Sequence, residues 1–247
     1  NRGNSYKILQ LEGYQHADSD NEALEYLRDD PNAVWYENYN NNTDWITALE
    51  QTSVVQNYNA NVRGGGEYTA YSFSLSYLNE PGSMINTGYD RLSGRFNLDY
   101  RVSDKLRFGN SIFYARGQLQ NPSVNEYNPY GMAFTKAPNL SIYQQDSVGN
   151  NTSTLFNPQN TYIQEYGTFN PVAFANSSNS NTVSNTLTTS IFAIINPARN
   201  FNITSRVSMN FGDNDNFGFI PAEATGLVWG NELVNNNSYA NNGHTDF

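Results

Sequence analysis

Three stretches of the chain hold residue types that bind or react. "RGGGE", Arg63 to Glu67, sets three glycines in a row. A phosphate cradle would need a strand before them and, after them, a helix whose N-terminus faces the anion. The residues beyond Gly66 show a period of two instead: Tyr71, Phe73, Leu75 and Tyr77 alternate with Ala70, Ser72, Ser74 and Ser76. The glycines therefore read as a hairpin turn. "HADSDNE" from His16 and "GDNDN" from Gly212 place oxygen donors at alternate positions, as calcium loops do. Neither has the glycine and distal Glu of the twelve-residue loop, so solvated acidic loops are the plainer reading, with Asp213 and Asp215 as the calcium candidates. His16 and His244 are the only histidines, lie at opposite ends among polar residues and read as solvated loop side chains. With no serine elbow, Cys-His pair or zinc motif, no catalytic residue, metal site or cofactor is assigned, and the protein is not expected to be an enzyme.

The residues best suited to capture are aromatic. The stretch 120–183 carries Tyr127, Tyr130, Phe134, Tyr143, Tyr162 and Tyr166 among Asn, Gln and Pro. Such rings stack on sugars or peptide side chains, and these six are the candidates for contact with a substrate or a protein partner. The plainer alternative is that most of them pack so long a loop against itself.

The elements that hold these residues read as strands. Aromatics make up 14% of the chain while charged residues make up 15%, against about 25% in ordinary domains. That composition is too aromatic for disorder and too rich in Asn, Gly and β-formers for a helical bundle. A net charge of -10 argues against nucleic acid and, for the chain as a whole, against a polyanionic ligand. Expected strands run over 53–62, 68–78, 89–101, 105–119, 184–196 and 200–211, most of them ten residues or longer, whereas globular strands average about half that. About nine to eleven residues cross a bilayer at a tilt, so the lengths suit a membrane barrel. Connectors alternate short and long: "RGGGE", "SD" and "PAR" are short, while "NEPGSMINTG", 120–183 and the stretch after Gly212 are long. Barrels sort their connectors this way, with tight turns on the periplasmic side and extended loops outside. On 200–211, Phe201, Ile203, Val207, Met209 and Phe211 share a face opposed by Asn202, Thr204, Arg206, Ser208 and Asn210. The strand 184–196 is less regular, because Phe192 and Ile194 oppose Leu187 and Ile191. Residues 20–30 and the stretch around Trp45 read as short helices.

"NTDW" at Asn42, "SVVQNYNANVRGGGEYTAYSFSLSYLNEPGSM", "YDRLSGRFNLDYRVSDKLRFGNSIFYA" and "NPVAFANSSNSNTVSNTL" resemble, in order, the early barrel of the SusC/RagA family of TonB-dependent outer-membrane transporters. The resemblance covers roughly 42–211. It implies an all-β chain forming a portion of a transmembrane antiparallel barrel, of about 22 strands when complete, with long extracellular loops. Residues 1–50 would lead into the barrel as a short helix and loop; 51–247 would be early strands with the long extracellular loop at 120–183. It further implies residence in the bacterial outer membrane and nutrient import, of a glycan or a peptide. The partners implied are a SusD-like surface lipoprotein, the lipid around the barrel and TonB, which acts through an N-terminal region absent from this sequence. Nothing in the chain resembles the plug, the TonB box, a signal sequence or the last strands, so a piece of a transporter is expected. "NNGHTDF" has no apolar alternation, so its final Phe247 is not read as the closing aromatic of a barrel. Two other readings stay open from the residues alone: a secreted aromatic-rich glycan-binding β-domain or glycosidase, and a plug-less barrel for secretion or adhesion.

Overall fold

A computed structural model describes residues 31–32, 36–124, 127–157, 169–226 and 236–246. Seven strands form one antiparallel sheet: β1 (Gln56–Gly65), β2 (Thr69–Pro81), β3 (Gly88–Ser103), β4 (Leu106–Asn121), β7 (Asn179–Ala198), β8 (Phe201–Ile220) and β9 (Asn236–Asp246). They lie side by side in chain order. A separate hairpin, β5 (Tyr143–Gln145) and β6 (Asn151–Leu155), sits inside the connector between β4 and β7. Because every neighbour in the large sheet is antiparallel, the tight connections β1–β2, β3–β4 and β7–β8 share one rim. The connectors 82–87, 122–178 and 221–235 share the other.

The triple glycine is partly strand and partly turn. Gly64 and Gly65 close β1, and only Gly66 opens the connection, its N–H donating to Thr69 O at 2.7 Å. A Cβ on Gly64 would lie 2.5 Å from Tyr71 Oη, and one on Gly65 would lie 2.4 Å from the Thr69 carbonyl oxygen. The glycines make room for a ring and for the close return of the chain. The β7–β8 turn uses Asn200 at φ 71, a left-handed conformation that Asn tolerates better than most residues.

The two faces of the sheet differ in chemistry. Registers align Val62, Phe73, Phe96, Ile112, Thr189 and Met209 in one row across six strands. The adjacent rows hold Ala60, Leu75, Gly94, Tyr114, Leu187 and Phe211 on one side, and Gly64, Tyr71, Leu98, Asn110, Ile191 and Val207 on the other. Phe73, Leu75, Ile203 and Val207 are exposed, Val207 to 55%. No second layer covers this face among the described residues. In water so large an apolar surface is unstable, whereas in lipid it is solvated; this face is the outside of a barrel wall. The opposite face carries Ser72, Ser74, Ser76, Asn97, Ser111, Thr188, Ser190, Ser208 and Asn210. Asn97 Nδ2 donates to Ser72 Oγ at 3.0 Å, Thr188 Oγ1 to Asn210 Oδ1 at 2.9 Å and Ser208 Oγ to Ser190 Oγ at 3.0 Å. This is a polar lumen wall.

Phe192 and Ile194, the irregularity of β7, face the lumen with a cause. Gly109 stands directly across from Phe192, and its Cβ would meet the Phe192 ring at 2.3 Å. The ring lies in the space the glycine leaves, under the Arg206 guanidinium 5.5 Å above.

Strand ends correct the sequence reading in two places. β7 and β8 each run 20 residues, well past the bilayer requirement. Along β8 the outward face turns from Phe211 to Asp213 and Asp215, so these acids lie in a strand above the apolar band and not in a loop. Asp213 stands between Asn185 and Gly243, and Asp215 between Val183 and Asn241. The second correction is β9 itself. It pairs only with 210–220 of β8, where Asp213 and Asp215 break the outward apolar run, so it lies above the apolar band and needs no apolar alternation. His244 accordingly lies in β9, its Nε2 2.8 Å from Asp246 Oδ2.

Candidate outer-rim binding surface

The buried side chains of the described residues gather on the long-loop rim. Two Asn-Pro pairs build the scaffold there. Asn128 caps α3 (Pro129–Thr135), Oδ1 accepting from Tyr130 N at 3.0 Å; Asn170 caps α4 (Pro171–Ser177), Oδ1 accepting from Val172 N and Ala173 N at 3.0 and 3.2 Å. Proline in the first turn has the required φ and lacks an N–H that would go unbonded there. Asn170 is fully buried, and its Nδ2 also donates to Ile142 O at 2.8 Å and to Phe156 O at 3.0 Å. One side chain thus fixes a helix start and two loop strands.

Against these helices pack α1 (Tyr36–Tyr39) and α2 (Trp45–Leu49), which precede the sheet. Asp44 caps α2, accepting from Thr47 N at 3.2 Å, and Trp45 Nε1 donates to Ala137 O at 3.0 Å. Tyr39, Trp45, Leu49, Met84, Ala133, Leu140 and Val172 form one core; Val124, Met132, Phe174, Ile220 and Ala224 form a second, with α5 (Ala222–Thr225) contributing Ala224. The connector between β2 and β3 is tied in as well, since Asn86 Nδ2 donates to Ala175 O at 3.0 Å. Residues 36–50 and the loop between β4 and β7 therefore make one folded cap on that rim.

The aromatic candidates divide between packing and exposure. Tyr127 lies against Phe169 and Phe174, ring centroids 5.8 and 6.0 Å apart, and so holds the second core. Tyr130 packs on the first core. Phe134, on α3, is 78% exposed, and Tyr143, on β5, is half exposed. Tyr162 and Tyr166 lie outside the described residues, as do His16 and the expected helix at 20–30. The β5–β6 tip adds Val148, also 78% exposed. Its turn is held by Asp146, whose Oδ1 accepts from Val148 N and Asn150 N at 2.9 Å each. The bond from the Asn150 N–H, then that from Val148 and the Asn150 amide, hold the Asp146 carboxyl below its usual range. Rigid turns and capped helices thus carry Phe134, Tyr143 and Val148 at the outer surface. Sequence reasoning missed Val148 and the capping role of Asn170; Asn-Pro before an apolar run was the available signal.

No group of three or more His, Asp or Glu side chains is arranged to hold a metal among the described residues. No helix there is long and apolar enough to cross a membrane, which says nothing of strands.

No family model matches the chain. It is 26% identical over 188 residues, 76% of its length, to "TonB-dependent receptor P26" of Formosa agariphila, and 25% identical over 114 residues to "TonB-dependent receptor P3" of the same organism. It spans 18% and 11% of these relatives. Among solved structures, the RagAB peptide transporter matches over 90% of this chain and 27% of its own with TM-score 0.64, and the RagAB peptide importer in its closed-closed state over 91% and 27% with TM-score 0.65; identity is 16% in each. In sequence the chain is thus similar to part of TonB-dependent receptors, and in fold it is similar to part of the RagAB transporter barrel, as the SusC/RagA-like resemblance of its sequence led one to expect.

Proposed function

We propose that the intact protein is an outer-membrane importer that takes up a glycan or a peptide, driven through TonB and capped by a SusD-like surface lipoprotein. The observation that carries this reading is the sheet with one apolar and one polar face, the described parts of its long connectors packed into a cap on one rim. Its likeness to peptide importers and TonB-dependent receptors supports the same reading. The protein's contribution is reversible capture and a gated path, with no bond made or broken. A secreted lectin or glycosidase has no use for an apolar outer face of this extent.

The test is growth on single nutrients, with lipoprotein affinity measured on purified material. Removing residues 125–170 should abolish one or the other while the barrel stays folded in detergent. The Phe134→Asp, Val148→Asp double variant should weaken lipoprotein or ligand binding about tenfold without unfolding the cap, since both side chains are exposed. Unchanged uptake and affinity in both would leave the cap a purely structural element. Cleavage of the ligand by the purified protein would overturn the import reading.

A further inference from the structure

The β5–β6 hairpin is too short to set its own direction. Its arms hold three and five residues, and a two-stranded ribbon of that length is marginal in water unless it packs on something else. Its tip, 146–150, is nevertheless a tight turn, with Asp146 N donating to Asn150 O at 3.0 Å and Gly149 N to Asp146 O at 3.1 Å. A firm tip on a weak stem points wherever the stem is held.

The hold comes from a residue that lies before the whole sheet in the chain. Asn38, on α1, is buried and stands 107 positions before Gln145, the last residue of β5. Its Oδ1 accepts from Gln145 N at 2.7 Å and from Ser141 Oγ at 3.2 Å, while its backbone oxygen accepts from Ser141 N at 3.0 Å. Gln145 passes the constraint to the other arm, its Nε2 donating to Asn151 Oδ1 at 3.1 Å. The same helix abuts the tip: Gly149, at φ +84, leaves no room for a Cβ, which would lie 3.0 Å from Glu37 Oε2. α1 is itself fixed, because Asn139 Nδ2 donates to Tyr39 O at 3.1 Å, Asn41 N donates to Asn139 O at 2.9 Å and the Tyr39 ring stands edge-on to Phe156 at 5.4 Å. Each of these contacts joins residues of this chain, so the direction of the hairpin is set from within it.

We propose that Asn38 is a positioning residue for capture of the surface lipoprotein: it holds the hairpin in one direction, so that Val148 and Tyr143 meet that partner already ordered. The proposal rests on the import reading and names the part of the cap that the lipoprotein meets. A protruding turn led by an aliphatic side chain has no hollow to enclose a sugar or a peptide, whereas it fits a pocket in a protein surface. A tip free to swing is competent for only a fraction of the time, and apparent affinity falls by that fraction. The loss belongs to association, because a tip once docked makes the same contacts.

The test uses a cysteine-free form of the full-length transporter in detergent, with the lipoprotein that co-purifies with it removed and added back. Nitroxides at Ser147→Cys and Val207→Cys report the distance from the tip to the barrel wall. In Asn38→Ala the distribution of that distance should broaden, and lipoprotein association should slow about tenfold with dissociation unchanged. Asn38→Asp keeps the accepting oxygen and should restore both. Val148→Asp removes a contact and should speed dissociation instead. Hydrogen exchange at the Phe174 N–H, which donates to Asn170 O, reports whether the cap is folded. Where that protection is lost in Asn38→Ala, Ser141→Ala, which removes one donor to the same oxygen, decides: a broadened distribution is expected, and an unchanged one overturns the proposal. Unchanged distances and kinetics in a folded Asn38→Ala, an equal defect in Asn38→Asp, or a loss confined to dissociation also overturns it. A wild-type transporter that binds no lipoprotein and supports no uptake would overturn the import reading itself, whatever Asn38 does to the distances.

Discussion

Single side chains decide whether this wall faces lipid or water. Phe96 and Asn97 are neighbours in β3 on opposite faces, in rows with Phe73 and Ile112 on one side and with Ser72 and Ser111 on the other. Phe96→Arg places a charge in the apolar band and should cost about 2 to 4 kcal/mol of barrel stability, whereas Asn97→Arg adds one more cation to a wet wall and should cost far less. Urea midpoints of the two variants refolded into liposomes read the difference, and equal losses would mean that the faces are assigned the wrong way round. Asp146 offers a second, independent reading in the cap. Its folded carboxyl is held low by hydrogen bonds from the Asn150 and Val148 N–H groups and the Asn150 amide. A depressed carboxyl stabilises the turn fully above the unfolded value of about 4, and that contribution is lost as pH falls below it towards the folded value. Hydrogen exchange at Val148 and Asn150 should therefore accelerate, beyond the intrinsic pH trend, on acidification below about pH 4. In Asp146→Asn that extra acceleration should be absent, and its persistence there would assign it to another group.

At the scale of elements, the tightest devices are glycine–aromatic pairs across strands. Gly109 faces Phe192, and its absent Cβ would also lie 3.1 Å from the Leu98 carbonyl oxygen, so neither neighbour yields freely. Gly109→Ala should destabilise by about 1 to 3 kcal/mol, as overpacking does. Adding Phe192→Ala should recover part of that loss, giving a coupling that a double-mutant cycle in liposomes measures; strictly additive losses would show that the ring is not what fills the space. The same pairs explain what the sequence made legible. Tyr71, Phe73, Leu75 and Tyr77 alternate cleanly because lipid demands it of one face only, and six strands of the seven-stranded sheet obey that rule within a few residues. The rule falls silent above the membrane. There β8 continues through Asp213 and Asp215 and β9, with four Asn among its eleven residues, pairs with it antiparallel, and no hydrophobic period marks either. The cap was legible only in part. Its aromatics stood out, yet composition cannot tell Tyr127, spent on the second core, from Phe134, left exposed; that depends on contacts from residues some forty positions away.

On the scale of the whole molecule, strand length and apolar length disagree, and the disagreement fixes where the membrane lies. β8 spans 20 residues, about 66 Å at strand rise, yet its unbroken outward apolar run Val207, Met209, Phe211 stops at Asp213, and an outward ring returns only at Phe217, beyond Asp215. The next positions carry Asp213 and Asp215 outward, with Asn185 and Arg116 in the row of Asp213 and Gln118 and Asp90 in the row of Asp215. Rings mark the border. Tyr114, in the row of Leu187 and Phe211, donates from Oη to Asn185 Oδ1 at 3.1 Å, and Tyr77, in the row of Asp213, donates from Oη to Asp90 Oδ1 at 3.2 Å, each phenol reaching one row up. A tilted barrel thus carries its lumen wall well beyond the lipid, on the rim where the cap lies. This geometry is measurable, because the chain has no cysteine and single cysteines are unambiguous reporters here. In a cysteine-free form of the intact transporter, fluorophores at Ile203→Cys, Val207→Cys and Phe211→Cys should be quenched by spin-labelled lipid and shielded from aqueous iodide. At Asp213→Cys lipid quenching should weaken, and at Asp215→Cys it should vanish while iodide becomes effective. Ser208→Cys, one residue from Val207 and turned to the lumen, should escape the lipid quencher entirely. Lipid quenching of Asp215→Cys as strong as that of Val207→Cys would place the bilayer higher on the wall and remove the polar collar from the outside of the cell.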